Sequence, residues 1–417
     1  MQTGGVRAAA QPGDLLTLFD PAVRADPYPL YTRVREASPM TAGGGQVTVV
    51  AGYDDCLAVL RDPRALSDRR QSALLRRAMT VPDSVPAGMR WAVETPSFLF
   101  LDPPDHTRLR RLVAQAFTAR RVEQLRPTIE RLTADLLEAA GSEMDVVDEL
   151  AYPLPLTVIA DLLGVPREDM PRLREWSAVL TRALDPYIAL TGQPAEGLER
   201  RMAVLIEFRE YFQRLVERRR REPGDDLVSA LTAVQDGGDR LSSQELLSTC
   251  VLLLVAGHET TVNLIANGVL ALLRNPAQFA MLAADPGLAP GVVEEVLRYD
   301  PPVQLLMRIA GEDLTVGGTT VPSGSMVLLL LAAANRDPAV NPEPDRFDIA
   351  RAQLRHLAFG FGIHFCLGAP LARLEAQVAF AAFARRFPRA QAASTEMRYR
   401  DNVTLRGLTR LPVLTRG

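Results

Sequence analysis

The sequence predicts a mainly α-helical protein with a small β region, built around one long helix that crosses the middle of the molecule. Three observations predict it. Ser242-Ser243-Gln244-Glu245 is a capping box, and the apolar stretch behind it continues to Arg274, ahead of Asn275-Pro276. A helix of ~33 residues would span roughly 50 Å, enough to traverse a domain. Helical patterns also recur along most of the chain. The clearest β signal is Leu314-Thr315-Val316 and Thr319-Thr320-Val321 joined by Gly317-Gly318, which reads as a hairpin.

In chain order, residues 1–13 lack the apolar core of a secretory leader and are expected to be a disordered lead-in. Residues 14–417 are expected to form one domain, since no Gly/Ser linker or fixed repeat divides them. Residues 29–36 and 54–61 read as short helices, with a β-branched strand at 46–51 between them. Residues 71–100, with Pro82, Pro86 and Pro96, read as an irregular binding loop or lid. Helices are expected at 105–117, 122–140, 146–163, 168–184 and 196–221. The last ends in Arg218-Arg219-Arg220-Arg221, where cations suit the helix dipole. Beyond the hairpin, 326–331 reads as a buried strand and 367–386 as a helix.

Composition narrows the function. The 417 residues are 47% hydrophobic and 23% charged, with net charge −3, which is ordinary globular composition and argues against nucleic-acid binding. No stretch of about 18 apolar residues is evident, so no membrane span is expected. Three cysteines cannot make a disulfide framework, which fits a reducing cytoplasm. Four histidines show no metal-site pairing.

Two segments carry chemistry. Cys366 lies in Phe359-Gly360-Phe361-Gly362-Ile363-His364-Phe365-Cys366-Leu367-Gly368-Ala369, just before an amphipathic helix. The glycines permit positive φ and close approach to a flat ring, and the helix N-terminus favours a thiolate. That is what a single thiolate ligand to haem iron needs, and such a ligand promotes O–O cleavage. Cys56 and Cys250 lack the glycine frame and read as core. In the long helix, Ala256-Gly257-His258-Glu259-Thr260-Thr261 places an acid and an alcohol among apolar residues. Thr260 can bond back to the Ala256 carbonyl and bend the helix, and Glu259 beside it can relay protons. His258 reads as structural or solvent-linked. The bland alternatives are a packed cysteine and a solvated kink.

The spacing Phe-x-x-Gly-x-His-x-Cys-x-Gly resembles the haem-binding loop of the cytochrome P450 family, and Ala256 to Thr260 resembles its oxygen-binding motif. Glu295-Val296-Leu297-Arg298 and the segment from Asp102 to Arg110 are similar to two further motifs, in the family's order, so that matches span His106 to Gly368. The resemblance implies a cytochrome P450 fold and haem b with Cys366 as axial thiolate. It implies propionate contacts from His106, Arg110, Arg308 and His364, with Ala256 beside the oxygen site. Phe359 would shield the thiolate side, and the Leu367 and Gly368 amides would face the sulfur. Glu295, Arg298 and Arg346 would form a buried triad, with Asp345 where the family often has Glu.

The implied activity is a monooxygenase inserting one atom of dioxygen into a bulky hydrophobic natural product, such as a polyketide or macrolide, terpenoid or steroid. Hydroxylation is the default and epoxidation the runner-up. Leu253, Ala256, Leu305, Leu306, Val403 and Thr404, with the 71–100 loop, would line the substrate site. No flavin or iron–sulfur motif is visible, so electrons are expected from a ferredoxin with its NAD(P)H-dependent reductase, docking near Arg108, Arg111 and Arg373. The rivals are a peroxide-driven or dioxygen-independent haem-thiolate enzyme and a non-catalytic haem sensor or electron carrier. Glu259-Thr260 argues against the first, and the lack of a sixth ligand on the distal helix against the second.

Overall fold

Ser242 caps the long helix as the sequence predicts. In the computed structural model, which describes residues 11–79, 97–185, 187, 191, 197–235 and 238–416, the Ser242 hydroxyl accepts from the Glu245 amide at 3.2 Å. The Glu245 carboxylate accepts from the Ser242 amide at 2.8 Å. The helix is not continuous. It forms Ser243–Gly257 and Glu259–Arg274, broken at His258 (φ −109°, ψ −45°). The cause is local: Thr260 Oγ1 donates to the Ala256 carbonyl at 2.7 Å and Thr261 Oγ1 to the Gly257 carbonyl at 3.3 Å. Both back-bonds compete with the backbone ladder at the bend.

Contrary to the expectation that no segment qualifies, Ser243–Arg274 is long and apolar enough to cross a membrane by length and composition. Here it is a core helix, with 67% of its most apolar window inside the fold. Its second half packs on the Ala369–Arg386 helix through Gly268. A Cβ there would sit 2.2 Å from the Phe380 ring, so a larger residue would push apart the helices that join the two chemical segments.

The β region is small. A five-stranded sheet runs in the order Met40–Ala42, Val47–Val50, Met326–Leu329, Leu306–Ala310 and Ala65–Leu66. Met326–Leu329 is parallel to Val47–Val50 and antiparallel to Leu306–Ala310, with Arg308 opposite Val327. The predicted hairpin pairs Leu314 with Val321 and Val316 with Thr319; Gly317 (φ 52°) and Gly318 (φ 77°) take the left-handed turn conformation.

Several boundaries moved. The expected strand at 326–331 stops at Leu329, and Leu331–Asn335 is helical. The single helix expected at 146–163 is a π-helix, Val147–Ala151, followed by Pro153–Leu163, because Pro153 lacks the N–H that a continuous ladder requires. The chain is ordered before residue 14: Pro12–Phe19 is a 3₁₀ helix, while residues 1–10 lie outside those described. Within the 71–100 loop, Ala73–Met79 is an α-helix and Phe98–Phe100 a 3₁₀ turn. Residues 80–96 lie outside the described residues.

Candidate active site

The cysteine loop is shaped by its own backbone. Gly360 (φ 68°) and Gly362 (φ 70°) take positive φ, whereas Gly368 (φ −81°) does not. The Cys366 amide donates to the Phe359 carbonyl at 2.9 Å, closing the loop just before the Ala369–Arg386 helix. The amides that bond the sulfur are those of Gly368 and Ala369, so Ala369 takes the place expected for Leu367. Burial raises the Cys366 thiol pKa, opposed by those amides and by Arg110 and Arg373. The residue is nevertheless exposed. Phe359 packs edge-on against Phe365, with ring centroids 6.2 Å apart, and carries the Arg373 guanidinium 4.6 Å above its ring.

The expected propionate residues cluster. The His106 and His364 rings are 4.1 Å apart, and Arg110 donates to the Phe365 carbonyl beside Cys366 at 2.5 Å. Arg308 is 9% exposed; burial pushes its guanidinium down to about 10. Burial, then the Arg308, His106 and Arg110 charges, hold His364 down at about 3, so its ring is neutral. His364 Nε2 lies 3.0 Å from Ser67 Oγ. Both His106 nitrogens are buried with no protein partner. Orphaned imidazole nitrogens between two desolvated arginines fit a pair of ligand carboxylates. The donor set therefore fits haem: one sulfur, with carboxylate-binding groups to one side.

On the long helix, Glu259 is 3% exposed, which removes the solvated-kink alternative. Its Oε2 accepts from Arg400, and its Oε1 has no hydrogen-bond partner. His258 is fully buried rather than solvent-linked. Its Nδ1 lies 3.2 Å from the Leu254 carbonyl and 3.4 Å from Ser177 Oγ, and its Nε2 3.3 Å from the Tyr152 hydroxyl.

The expected triad is corrected. Arg298 is fully buried and donates bidentately to Glu295 at 2.7 and 2.8 Å. Arg346 is 57% exposed and pairs with Glu343 and Asp348 instead. The third member is Arg351, whose Nε lies 3.3 Å from Glu295 Oε2. Arg346 contributes only its carbonyl, which accepts from Arg298 at 3.0 Å. The carbonyls of the turn point inward while the Arg346 side chain points out, and the residue five positions later reaches back.

Arg108 and Arg373, expected near the docking face, are engaged within the protein. Arg108 bonds Glu245 and Asp239, and Arg373 bonds Glu294 at 2.6 and 3.0 Å. Glu294, which sequence reasoning missed, also meets His356 at 3.0 Å. Against burial, those partners hold its carboxyl down at about 2.

Among the expected lining residues, Leu253, Ala256 and Leu306 are half-buried and Leu305 is buried. Val403 and Thr404 are held by protein. Val403 packs in the cluster with Leu18 and Leu30, and the Thr404 hydroxyl donates to the Leu184 carbonyl at 3.3 Å. Asp185 Oδ1 accepts both their amides, at 3.1 and 2.9 Å. Burial, despite those amides, pushes the Asp185 carboxyl up to about 6. A folded pKa above the unfolded ~3.9 means that its contribution is complete below that value and is lost as pH rises through about 6. Asp185→Asn keeps the acceptor oxygen without the charge. It should therefore be more stable than the parent at pH 8, by on the order of 2 kcal/mol, with the difference vanishing near pH 4 in urea unfolding.

Fold and site define a class: a mostly helical haem-thiolate protein with a cysteine loop and a kinked helix bearing an acid and an alcohol. The comparisons agree. The profile of the family described as Cytochrome P450 matches residues 92–285 and 288–411. Cytochrome P450 107B1 of Saccharopolyspora erythraea is 44% identical, covering 96% of this chain and 97% of its own. Cytochrome P450 monooxygenase PikC of Streptomyces venezuelae is 44% identical, over 93% of this chain and 91% of its own. The ligand-free crystal structure of Mycobacterium smegmatis CYP164A2 superposes with a TM-score of 0.90 at 52% identity, covering 97% of this chain and all of that one. The chain belongs to the cytochrome P450 family: it is a monooxygenase that uses haem b with an axial cysteine thiolate.

Proposed function

We propose that Cys366 supplies the thiolate, that His106, Arg110, Arg308 and His364 hold the propionates, and that Glu259 and Thr260 deliver protons. Haem bound through a thiolate supplies reductive activation of dioxygen. The chain's own residues do the rest. Phe359 and the Gly368 and Ala369 amides shield and tune the sulfur. Thr260, anchored as a donor on the Ala256 carbonyl at 2.7 Å, keeps its oxygen lone pairs free to accept from a proton donor. Glu259 holds the proton that Thr260 orients. The observation carrying this reading is a carboxylate 3% exposed, next in sequence to an alcohol fixed on the bend.

The substrate class is a bulky hydrophobic natural product, oxidised by hydroxylation or epoxidation. The support is the apolar set Leu253, Ala256, Leu305 and Leu306, and relatives named vitamin D(3) 25-hydroxylase and 6-deoxyerythronolide B hydroxylase, at 44% and 41% identity. Residues 14–417 act as one domain in the cytoplasm, taking electrons from a ferredoxin and its NAD(P)H-dependent reductase. Thr260→Ala is the test. Reductant consumption should continue while product per electron pair falls on the order of tenfold, and peroxide should rise to match. Undiminished coupling would remove Thr260 from the reaction, and turnover with peroxide alone at the reductant-driven rate would favour the peroxide-driven rival.

A further inference from the structure

Glu259 must be reprotonated after each proton it gives up, and its two sides differ. Toward His258 the way is closed. That ring is fully buried, and its nitrogens face only Leu254, Ser177, Tyr152 and, at 3.8 Å, Glu259 Oε1. Toward Arg400 it opens. The Arg400 side chain is 26% exposed, with Nε donating to the Leu408 carbonyl at 3.3 Å while its guanidinium holds Glu259. It also lines a small cavity of ≈ 20 Å³ between residues 18–31 and 399–406, with Gln304 on the floor. That volume admits one water. Three buried polar atoms of the lining residues have no partner: Arg24 Nε, Gln304 Oε1 and the Tyr399 hydroxyl. Two donors and an acceptor (the hydroxyl serving either way) are what a single water needs. Tyr399 and Arg406 also line a larger cleft of ≈ 1050 Å³.

We propose that protons reach Glu259 from this cleft through a water bound by Arg24, Gln304 and Tyr399, and that Arg400 is the positioning residue that holds the carboxylate at the end of the route. The guanidinium stays charged and transfers nothing itself. The bound water gives a proton to the carboxylate, making a carboxylic acid, and takes up another from the cleft. The acid O–H bond then breaks as its proton passes to a water hydrogen-bonded to the Thr260 oxygen, whose own hydrogen stays on the Ala256 carbonyl, and the carboxylate returns to Arg400. This rests on Glu259 acting as the proton donor.

Four variants of the holoenzyme, driven by its reduced partner, and a high-resolution structure test it. Arg400→Gln should lower product per electron pair on the order of tenfold and enlarge the solvent deuterium isotope effect, with Arg400→Lys restoring most of both. Tyr399→Phe, which leaves Arg400 in place, should enlarge the isotope effect as well. In the crystalline ferric holoenzyme, a water should lie within hydrogen-bond distance of the Tyr399 hydroxyl, Gln304 Oε1 and Arg24 Nε. A dry cavity, or an isotope effect unchanged in Tyr399→Phe, overturns the route even if Arg400→Gln fails to fold. Glu259→Gln separates the two layers. If it uncouples while the Arg400 and Tyr399 variants do not, only the route fails; if it too is without effect, the role of Glu259 fails with it.

Discussion

Reduced Cys366→Ser protein exposed to carbon monoxide should show no strongly red-shifted Soret band, and monooxygenase activity should fall below detection. Cys366 carries the only sulfur in the loop. A serine hydroxyl stays protonated at neutral pH and cannot donate as an anion. The loop itself should survive. Its shape depends on the Cys366 amide bond to the Phe359 carbonyl and on positive φ at Gly360 and Gly362, none of which involves the sulfur. The other cysteines provide the control. Both are fully buried; burial pushes the Cys250 thiol up to about 12 and that of Cys56 higher still. Cys56→Ser and Cys250→Ser should keep the red-shifted band, though at some cost in stability.

The second large effect is on folding. Glu295→Ala should destabilise the protein by about 3–5 kcal/mol, seen as a lower urea midpoint and poor haem retention. Glu295 has no exposed surface, and it balances Arg298, which has none either. It also accepts from the Asp348 amide at 2.8 Å and meets Arg351 at 3.3 Å. Removing it strands a buried guanidinium and frees the turn that leads into the cysteine loop. The two candidate third members separate cleanly. Arg346→Ala removes an exposed side chain and should shift stability by no more than about 0.5 kcal/mol. Arg351→Ala removes the Glu295 contact and three bonds to the carbonyls of Pro342, Glu343 and Arg346, and should cost more than that.

Each feature read correctly from the sequence rests on short spacing. The capping box lies within three residues, the Thr260 back-bond within four, the Glu295–Arg298 pair within three, and the hairpin turn on two glycines. Helix and turn geometry fix these contacts wherever the segment ends up. The misread features depend on how distant segments return. The expected bend becomes a break at His258 because Thr261 back-bonds as well as Thr260 on a buried helix. Arg351 displaces Arg346 because the turn between them decides which of two long side chains faces inward. The partners of Arg108 and Arg373 lie on other helices. Arg400, 141 positions from Glu259, had no local signal at all.

By itself, then, the sequence determined the glycine-framed cysteine loop, the acid and alcohol on the long helix, and the mostly helical architecture, because backbone periodicity and glycine conformation act within a few residues. Only the tertiary structure decided which arginine completes the Glu295 cluster and what holds Glu259. Long, flexible cations choose partners by the direction in which packing aims them, and that direction is set by chain paths dozens of residues apart.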